Sequence, residues 1–560
     1  MSSHDEVFGE GGSDPGLLEA AIQRRKFLQY GLGATAAAVG GSVLTQGVVG
    51  GIARAAAAGT PTTLNVATSL GATNLDPNSL DGLSCSQIWS MCYDTFFNTG
   101  YPAGLTAAEA YLKHYDPEPL LATSHVLSGG GKVWTFNLAP KATSAAGNPF
   151  TPADVIWSAQ RHLALQLYGG IFLNRIGVTS ASQFTAVGDH AVEMTLTEPI
   201  DPSYMLQIIG NYLVPIYDSV TAKAHATTAD PWAKTYLAAN TAGFGPYTIT
   251  SRSADGSQVS LAARSDYYGK PVIPKVVYQQ VSETSTQLEL LLRGAVQVTD
   301  ALSPEQVKTV EASKGNTVTQ VATTGACYLG FNNSQAPFSD VNLHHGIATA
   351  INTPAIVSGV WKGTAQVWKS VLPPWFQGYT DKYWTYEYNS AKAAALLKPY
   401  ANAGIALQYD AGNDLHGTIA ELIQGELTAA GMTIKLDGIE STQYQTDEQN
   451  AAHTFWIDTG SVPLIPDPLY ALQLLFLTVP TQKLIHYSNP KVDAAVNKLS
   501  STTSVAKQDA LILEAQKYIM ADLPIVPIAY TNYPATHAKD LTGFRGHGAD
   551  IINVRDLHFT

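Results

Sequence analysis

The residues in this chain best suited to chemistry are a single carboxylate beside two aromatic rings, Phe455-Trp456-Ile457-Asp458. Such an arrangement suits an amine: the carboxylate takes the charge, while aromatic faces cover the carbon atoms and attract the cation. The competing reading is a structural, capping or solvated aspartate. A second run is dense in rings: Trp361, Trp368, Trp375, Phe376, Tyr379, Tyr383, Trp384, Tyr386 and Tyr388. Most rings in such a stretch pack a core or a loop, but their density points to at least one ligand contact.

Catalytic sets do not assemble. The chain has no HExxH, no GxSxG, no P-loop and no complete dinucleotide glycine fingerprint. Ser504-Val505-Ala506-Lys507 matches the SxxK nucleophile motif, yet its SDN and KTG companions are missing. It also opens an amphipathic stretch, so helix capping by Ser504 is the simpler expectation. His344, His345, His416, His453, His486 and His547 lack the paired spacing of a metal site, and no metal or cofactor is expected.

The elements that position these residues alternate strand and helix patterns without a repeat. Leu64–Thr68 reads as a strand, and Val133–Leu138 and Val192–Leu196 alternate apolar and polar residues. Thr151-Pro152-Ala153-Asp154 and Ser303-Pro304-Glu305-Gln306 each set a cap, a proline and a reciprocal partner at a helix start. Ile419, Leu422, Ile423 and Leu427 form a helical stripe before Gly431, and Leu511, Glu514, Ala515 and Tyr518 carry one more helix. Mixed α/β or α+β structure follows.

Gln23-Arg24-Arg25-Lys26-Phe27-Leu28 precedes an uncharged run from Gly31 to Ala53, with small residues at Ala55–Ala58. That order resembles a twin-arginine export signal carried by Arg24 and Arg25 and read by the twin-arginine translocase. Residues 1–58 are therefore expected to be a signal peptide, and the mature chain an exported protein of the periplasm or the outer face of the cytoplasmic membrane. A retained membrane anchor is the alternative. No cysteine ends the signal to take a lipid. Cys85 and Cys92 stand seven apart in a helical pattern, about 10 Å along the axis and too far for a disulfide, so buried thiols are expected.

Bulk composition narrows the partners. Charged residues make up 14 %, against ~25 % in typical soluble proteins, and the net charge is −13. Phosphate backbones call for basic stripes, so nucleic acid is disfavoured. The length exceeds what one core of ~100–150 residues serves, which points to several domains.

A set of ordered motifs resembles the family 5 extracellular solute-binding proteins, the peptide- and nickel-binding receptors of ABC importers. It begins with Asn74-Leu75-Asp76-Pro77, Cys92-Tyr93-Asp94-Thr95-Phe96 and Pro119-Leu120-Leu121-Ala122-Thr123-Ser124. It continues through Pro149-Phe150-Thr151-Pro152-Ala153-Asp154-Val155, Gly243-Phe244-Gly245-Pro246-Tyr247 and Arg264–Pro271. Tyr328–Asn333, Pro337–Val341 and Ser488–Asp493 complete it. The resemblance implies a two-lobed fold with the ligand cleft between lobes. Lobe I would comprise residues 59–92, 211–322 and 528–560, with 93–210 inserted as a subdomain, and lobe II residues 323–527. Crossings near 322 and 527 would form the hinge.

It also implies a monomeric, non-enzymatic receptor that delivers a peptide or peptide-like ligand to permease subunits. A nickel chelate, an oligosaccharide, or a sensor or chaperone role are alternatives within the fold; a secreted hydrolase would need a catalytic set that is not there. Candidate ligand contacts are Asp458, Trp456, Phe455, Trp375, Asn332, Tyr247, Thr68 and Ser69. Peptide-binding members often carry Trp, two residues and Asp-Tyr; here the tryptophan is shifted, no Tyr follows Asp458, and Asp467-Pro468 comes late. No arginine occurs between Arg293 and Arg545, so lobe II lacks the planar fork that grips carboxylates. A ligand with a cationic or neutral end in that lobe is expected.

Overall fold

The computed structural model describes residues 62–79, 85–102, 117–269, 273–300, 302–459, 463, 465–478, 484–546 and 554–560. The signal segment and its arginines lie outside them. Among the described residues no helix is long and apolar enough to cross a membrane.

β1 (Thr63–Thr68) starts the chain and α1 (Ser86–Cys92) follows. A separate antiparallel sheet then forms from β2 (Ala122–Ser128), β3 (Val133–Leu138), β4 (Phe184–Ala186) and β5 (Ala191–Thr195), in the order β2-β3-β5-β4. With it lie α2 (Pro152–Leu165), α3 (Tyr168–Arg175) and α4 (Pro202–Ile209). The start of α2 forms as its sequence predicts: the Asp154 carboxylate accepts the Thr151 backbone N–H at 2.9 Å, satisfying a donor the helix leaves over.

The chain returns through β6 (Tyr247–Arg252), β7 (Gln258–Ala263), β8 (Lys275–Gln280), α5 (Thr284–Leu292), β9 (Val298–Thr299) and α6 (Pro304–Glu311). The long strand β10 (Asn316–Phe331) leads into α7 (Val341–Ala350), β11 (Ala365–Val367), β12 (Ala406–Asp410) and α8 (Asp414–Ala429). After these come β13 (Lys435–Ile439), α9 (Ser441–Gln449), β14 (Phe455–Asp458), α10 (Pro468–Leu475), α11 (Val505–Asp522) and β15 (Ile525–Ala538).

One sheet of 11 strands runs through the molecule in the order β13-β12-β14-β10-β15-β9-β1-β8-β7-β6, with β11 also on β15. Its spine is the antiparallel pair of β10 and β15. Asn316–Val321 pairs with Ala538–Tyr533, then the register shifts, and Gly325–Gly330 pairs with Thr531–Ile525. The shift leaves residues 322–324 opposite Asn532.

Two polar networks hold the first half together. Arg161 of α2, fully buried, forks onto Asp76 at 3.0 and 2.5 Å, and the Tyr217 hydroxyl donates to the same carboxylate at 3.0 Å. Asp94 accepts from Arg555 at 2.8 Å and from the Tyr267 and Tyr268 hydroxyls at 2.9 and 2.6 Å, which pins the chain's last segment to α1's end. Each carboxylate thus has a guanidinium and hydroxyls, the pairing a buried charge requires. Cys85, Cys92 and Cys327 are all buried and unbridged. Burial pushes the Cys92 thiol up to about 12, so it is a packing residue rather than a nucleophile.

Candidate ligand-binding cleft

Strand direction locates the cleft. β1 runs parallel to β8 and β9, and β12 runs parallel to β13 and β14. β9 pairs antiparallel with β15 so that Thr299, its last residue, lies nearer the register shift than Val298. β14 pairs antiparallel with β10 so that Asp458, its last residue, lies opposite Tyr328 and nearer the same shift than Phe455. The two parallel sets therefore aim their carboxyl ends at one level of the sheet, residues 322–324 and 532. Open sheets with parallel strands bind ligands outside those ends.

On the β1 and β9 side, the Ser69 N–H donates to Asp300 Oδ1 at 2.9 Å, and the Thr68 hydroxyl turns back to the Leu70 carbonyl at 2.9 Å. Burial pushes the Asp300 carboxyl up to about 6 against the lowering effect of the Ser69 and Gln287 hydrogen bonds. On the β12 and β14 side, the Asp458 carboxylate, 2 % exposed, accepts from the Tyr328 hydroxyl at 2.9 Å and faces the Trp456 indole N–H at 3.5 Å. Gln408 of β12 pairs with Trp456, which brings Asp410 level with Asp458 at the strand ends. Asp410 accepts from the Ser441 hydroxyl at 2.6 Å and the Gly412 N–H at 2.9 Å.

His416 stands between these two acids. Burial pushes it down to about 4, and Asp410 and Asp458 offset that only in part, so the ring is neutral. Its Nδ1 faces the Asp410 backbone N–H at 3.4 Å, which leaves the proton on Nε2, 2.7 Å from the Thr459 hydroxyl. In that tautomer the ring donates to Thr459 and cannot deprotonate it, so the pair is a strut rather than a nucleophile and its base.

The candidate contacts divide sharply. Asp458 and Trp456 share one face of β14, and Thr68 and Ser69 stand at the opposing strand end. Trp375 reaches the register shift itself, where its indole N–H donates to the Thr323 carbonyl at 2.9 Å, alongside the Tyr530 hydroxyl at 2.7 Å. Phe455 points the other way: it is fully buried and stacked on Phe331 at 5.4 Å and near Phe338 at 5.6 Å. Alternation along a strand puts it in the core, so it does not flank Asp458 as the sequence order suggests. Tyr247 is likewise in the core, its hydroxyl on the Ile273 carbonyl at 2.9 Å. Asn332 spends its carbonyl on Ser334, in a turn that continues β10. Trp456 is close against β10: a Cβ on Gly330 would stand 2.4 Å from the indole, so glycine is required there.

Ser504 occupies the residue before α11 as expected, but its hydroxyl makes no capping bond, and Ser504 and Lys507 are both exposed. Among the described residues no group of three His, Cys, Asp or Glu could hold a metal ion.

Residues 116–483 match the family described as bacterial extracellular solute-binding proteins, family 5, middle region. The chain belongs to that family. Its members are extracellular solute-binding proteins. A relative, the probable D,D-dipeptide-binding periplasmic protein DdpA of Escherichia coli K12, is 26 % identical over 442 residues, covering 77 % of this chain and 82 % of that one. The di/tripeptide-binding protein 2 of Pseudomonas aeruginosa is 24 % identical, over 76 % of this chain and 84 % of its own. Among solved structures, the periplasmic binding protein DppA of Helicobacter pylori in complex with peptide STSA superposes with a TM-score of 0.73 at 23 % identity, covering 89 % and 98 % of the two chains. The two-lobed fold of this family 5 receptor is thereby established.

Sequence reasoning missed Tyr328, Asp410, His416, Thr459 and Asp300. Tyr328 sits inside a quoted motif, but nothing local says that it faces Asp458 across two strands 130 residues apart. Asp410 carried a readable signal, an acid ending an apolar alternation just before a helix start.

Proposed function

We propose that this receptor captures a short peptide or peptide-like amine between its lobes and delivers it to the permease subunits of an ABC importer. The observation that carries this reading is the match along most of the chain to relatives named for dipeptide and di/tripeptide binding. Asp458 supports it: a carboxylate at the carboxyl end of β14, with an indole on its own face, in a stretch of 251 residues (294–544) without arginine. The ligand's amino end then lies against Asp458, beside Trp456 and within reach of Trp375, while Ser69 and its neighbours face it from the other lobe. Closure turns on residues 322–324 and Asn532, where the register of β10 on β15 shifts. Ligand stabilises the closed form by touching both lobes.

The protein works outside the cytoplasm as a monomer, after export through the twin-arginine translocase. Changing Arg24 and Arg25 to Lys leaves the precursor inside; cell fractionation reads this, and normal export refutes the assignment.

Native mass spectrometry of co-purified material identifies the ligand class. Calorimetry with a panel of two- to five-residue peptides, each free and N-acetylated, tests the amine contact. Acetylation or Asp458→Asn is expected to cost roughly 1.5–3 kcal/mol, about 10- to 150-fold in affinity. Equal binding of free and acetylated peptides removes Asp458 from the site, and no binding by any peptide removes the peptide reading.

A further inference from the structure

Beyond the strand ends, the two sides of the cleft meet a second time, through helices. The segment of α2, α3 and α4 is fixed just after β1, where the Arg161 fork holds Asp76. α10 follows β14, and the linker between them passes the register shift, where the Thr324 hydroxyl donates to the Pro463 carbonyl at 2.9 Å. α3 and α10 then touch. The Arg175 guanidinium lies over the Tyr470 ring at 4.8 Å and donates to the Gln473 side-chain oxygen at 3.2 Å, while Phe172 meets the same ring edge-on at 6.2 Å. This contact bridges the two strand sets whose carboxyl ends bound the cleft.

Arg175 is held differently from the arginines around it. Arg161, Arg264, Arg293, Arg545 and Arg555 each hold a carboxylate, and Arg252 holds the carbonyls of Ala72 and Thr73. Among the described residues no acid pairs with Arg175: one N–H goes to a neutral amide, and its buried Nε has no hydrogen-bond partner. A guanidinium is always charged, and a partly buried one without an anion is left in a costly state that a carboxylate relieves. Asp467, at the start of α10, does not supply that anion. Its carboxylate accepts the Leu469 N–H at 2.8 Å, and burial first, then the Asp201 charge, push it up to about 8, so it is mostly protonated at neutral pH. The Tyr204 hydroxyl of α4, on which the Arg175 charge acts, is likewise buried and without a partner.

We propose that Arg175 and Gln473 form a subsite for a carboxylate of the ligand. Nε and Nη2 of Arg175 make the side-on fork that takes a carboxylate bidentately. Gln473 accepts from Arg175 through its oxygen and keeps its Nε2 hydrogens for the same anion. The Tyr470 ring holds the plane of the guanidinium, so little freedom is lost when the anion arrives. The subsite rests on the peptide reading and deepens it: with the amino end at Asp458, the carboxyl end goes to Arg175, and the ligand is a zwitterion held across the cleft. Its guanidinium comes from before β10, since none occurs in residues 294–544.

Calorimetry on the mature protein tests this with two- to five-residue peptides, each as the free acid and as the C-terminal amide. The wild type is expected to prefer the acid by about 10- to 150-fold, the range for a charge-assisted hydrogen bond. Arg175→Gln is expected to erase that preference by weakening the acid alone, and Arg175→Lys to restore part of it. Gln473→Glu keeps the contact with α3 but sets a carboxylate on Arg175 in the ligand's place, so it too is expected to erase the preference while leaving the amide's affinity unchanged. Equal binding of acid and amide by the wild type, or a wild-type preference in both Arg175→Gln and Gln473→Glu, overturns the subsite and leaves the peptide reading standing. Succinate and citrate separate the two the other way. If no peptide binds but either acid binds and Arg175→Gln abolishes it, the peptide reading falls and the subsite stays; if no carboxylate of any kind binds, the subsite falls.

Discussion

The buried carboxylates before and after β10 are buried to similar degrees and treated in opposite ways. Asp76 and Asp94, before it, each hold a guanidinium, from Arg161 at 2.5 Å and from Arg555 at 2.8 Å. Asp410 and Asp458, after it, accept from hydroxyls, an indole and a backbone N–H, in a stretch that contains no arginine at all. On the proposed reading, the difference separates scaffold from function. A carboxylate locked in a bidentate fork has its charge neutralised within the protein and offers little to a ligand. On the proposed reading, one held by hydroxyl, indole and backbone N–H donors is the one that meets an incoming amine.

The comparison breaks most visibly at Arg161. Arg161→Met leaves Asp76 buried without its counter-ion and is expected to destabilise the protein by about 3–5 kcal/mol, read as a drop in the urea midpoint. The double change with Asp76→Leu should recover most of that loss. If Arg161→Met costs under about 1 kcal/mol, the fork is not what holds α2 to the segment that follows β1. Asp458→Asn ranks next, with its expected 10- to 150-fold loss of affinity and no fall in the ligand-free melting temperature. A loss of stability matching that of Arg161→Met, with binding intact, would make Asp458 scaffold after all. Smallest is Tyr328→Phe. It removes one hydrogen bond from Asp458, worth about 0.5–1.5 kcal/mol, and that loss should appear in peptide affinity more than in unfolding. An effect confined to unfolding would place the tyrosine with the core.

The same contrast explains why parts of the cleft could be read from the chain and others could not. Asp458 stands out in the sequence because it is a carboxylate in an arginine-free stretch. Phe455 was misleading for a geometric reason: residues three apart on a strand face opposite sides, so this ring cannot flank the acid, whereas Trp456, two residues from it, shares its face. Tyr247 and Asn332 sit in well-marked motifs whose work is structural, one on the Ile273 carbonyl and the other in a turn. Asp300 was invisible because what marks it is the carboxyl end of a parallel strand, and parallel pairing joins segments far apart in the chain.

By itself the sequence determined the element types, their caps and the order of family motifs. These rest on local rules: 2.0- and 3.6-residue periods, proline at first helical positions, and reciprocal cap partners at Thr151–Asp154 and Ser303–Gln306. Tertiary structure decided where the cleft opens, because that depends on the register of β10 against β15 and on the opposed directions of β9 and β14. Long-range pairing is chosen by burial and charge over the whole molecule, and no window of the chain contains that information.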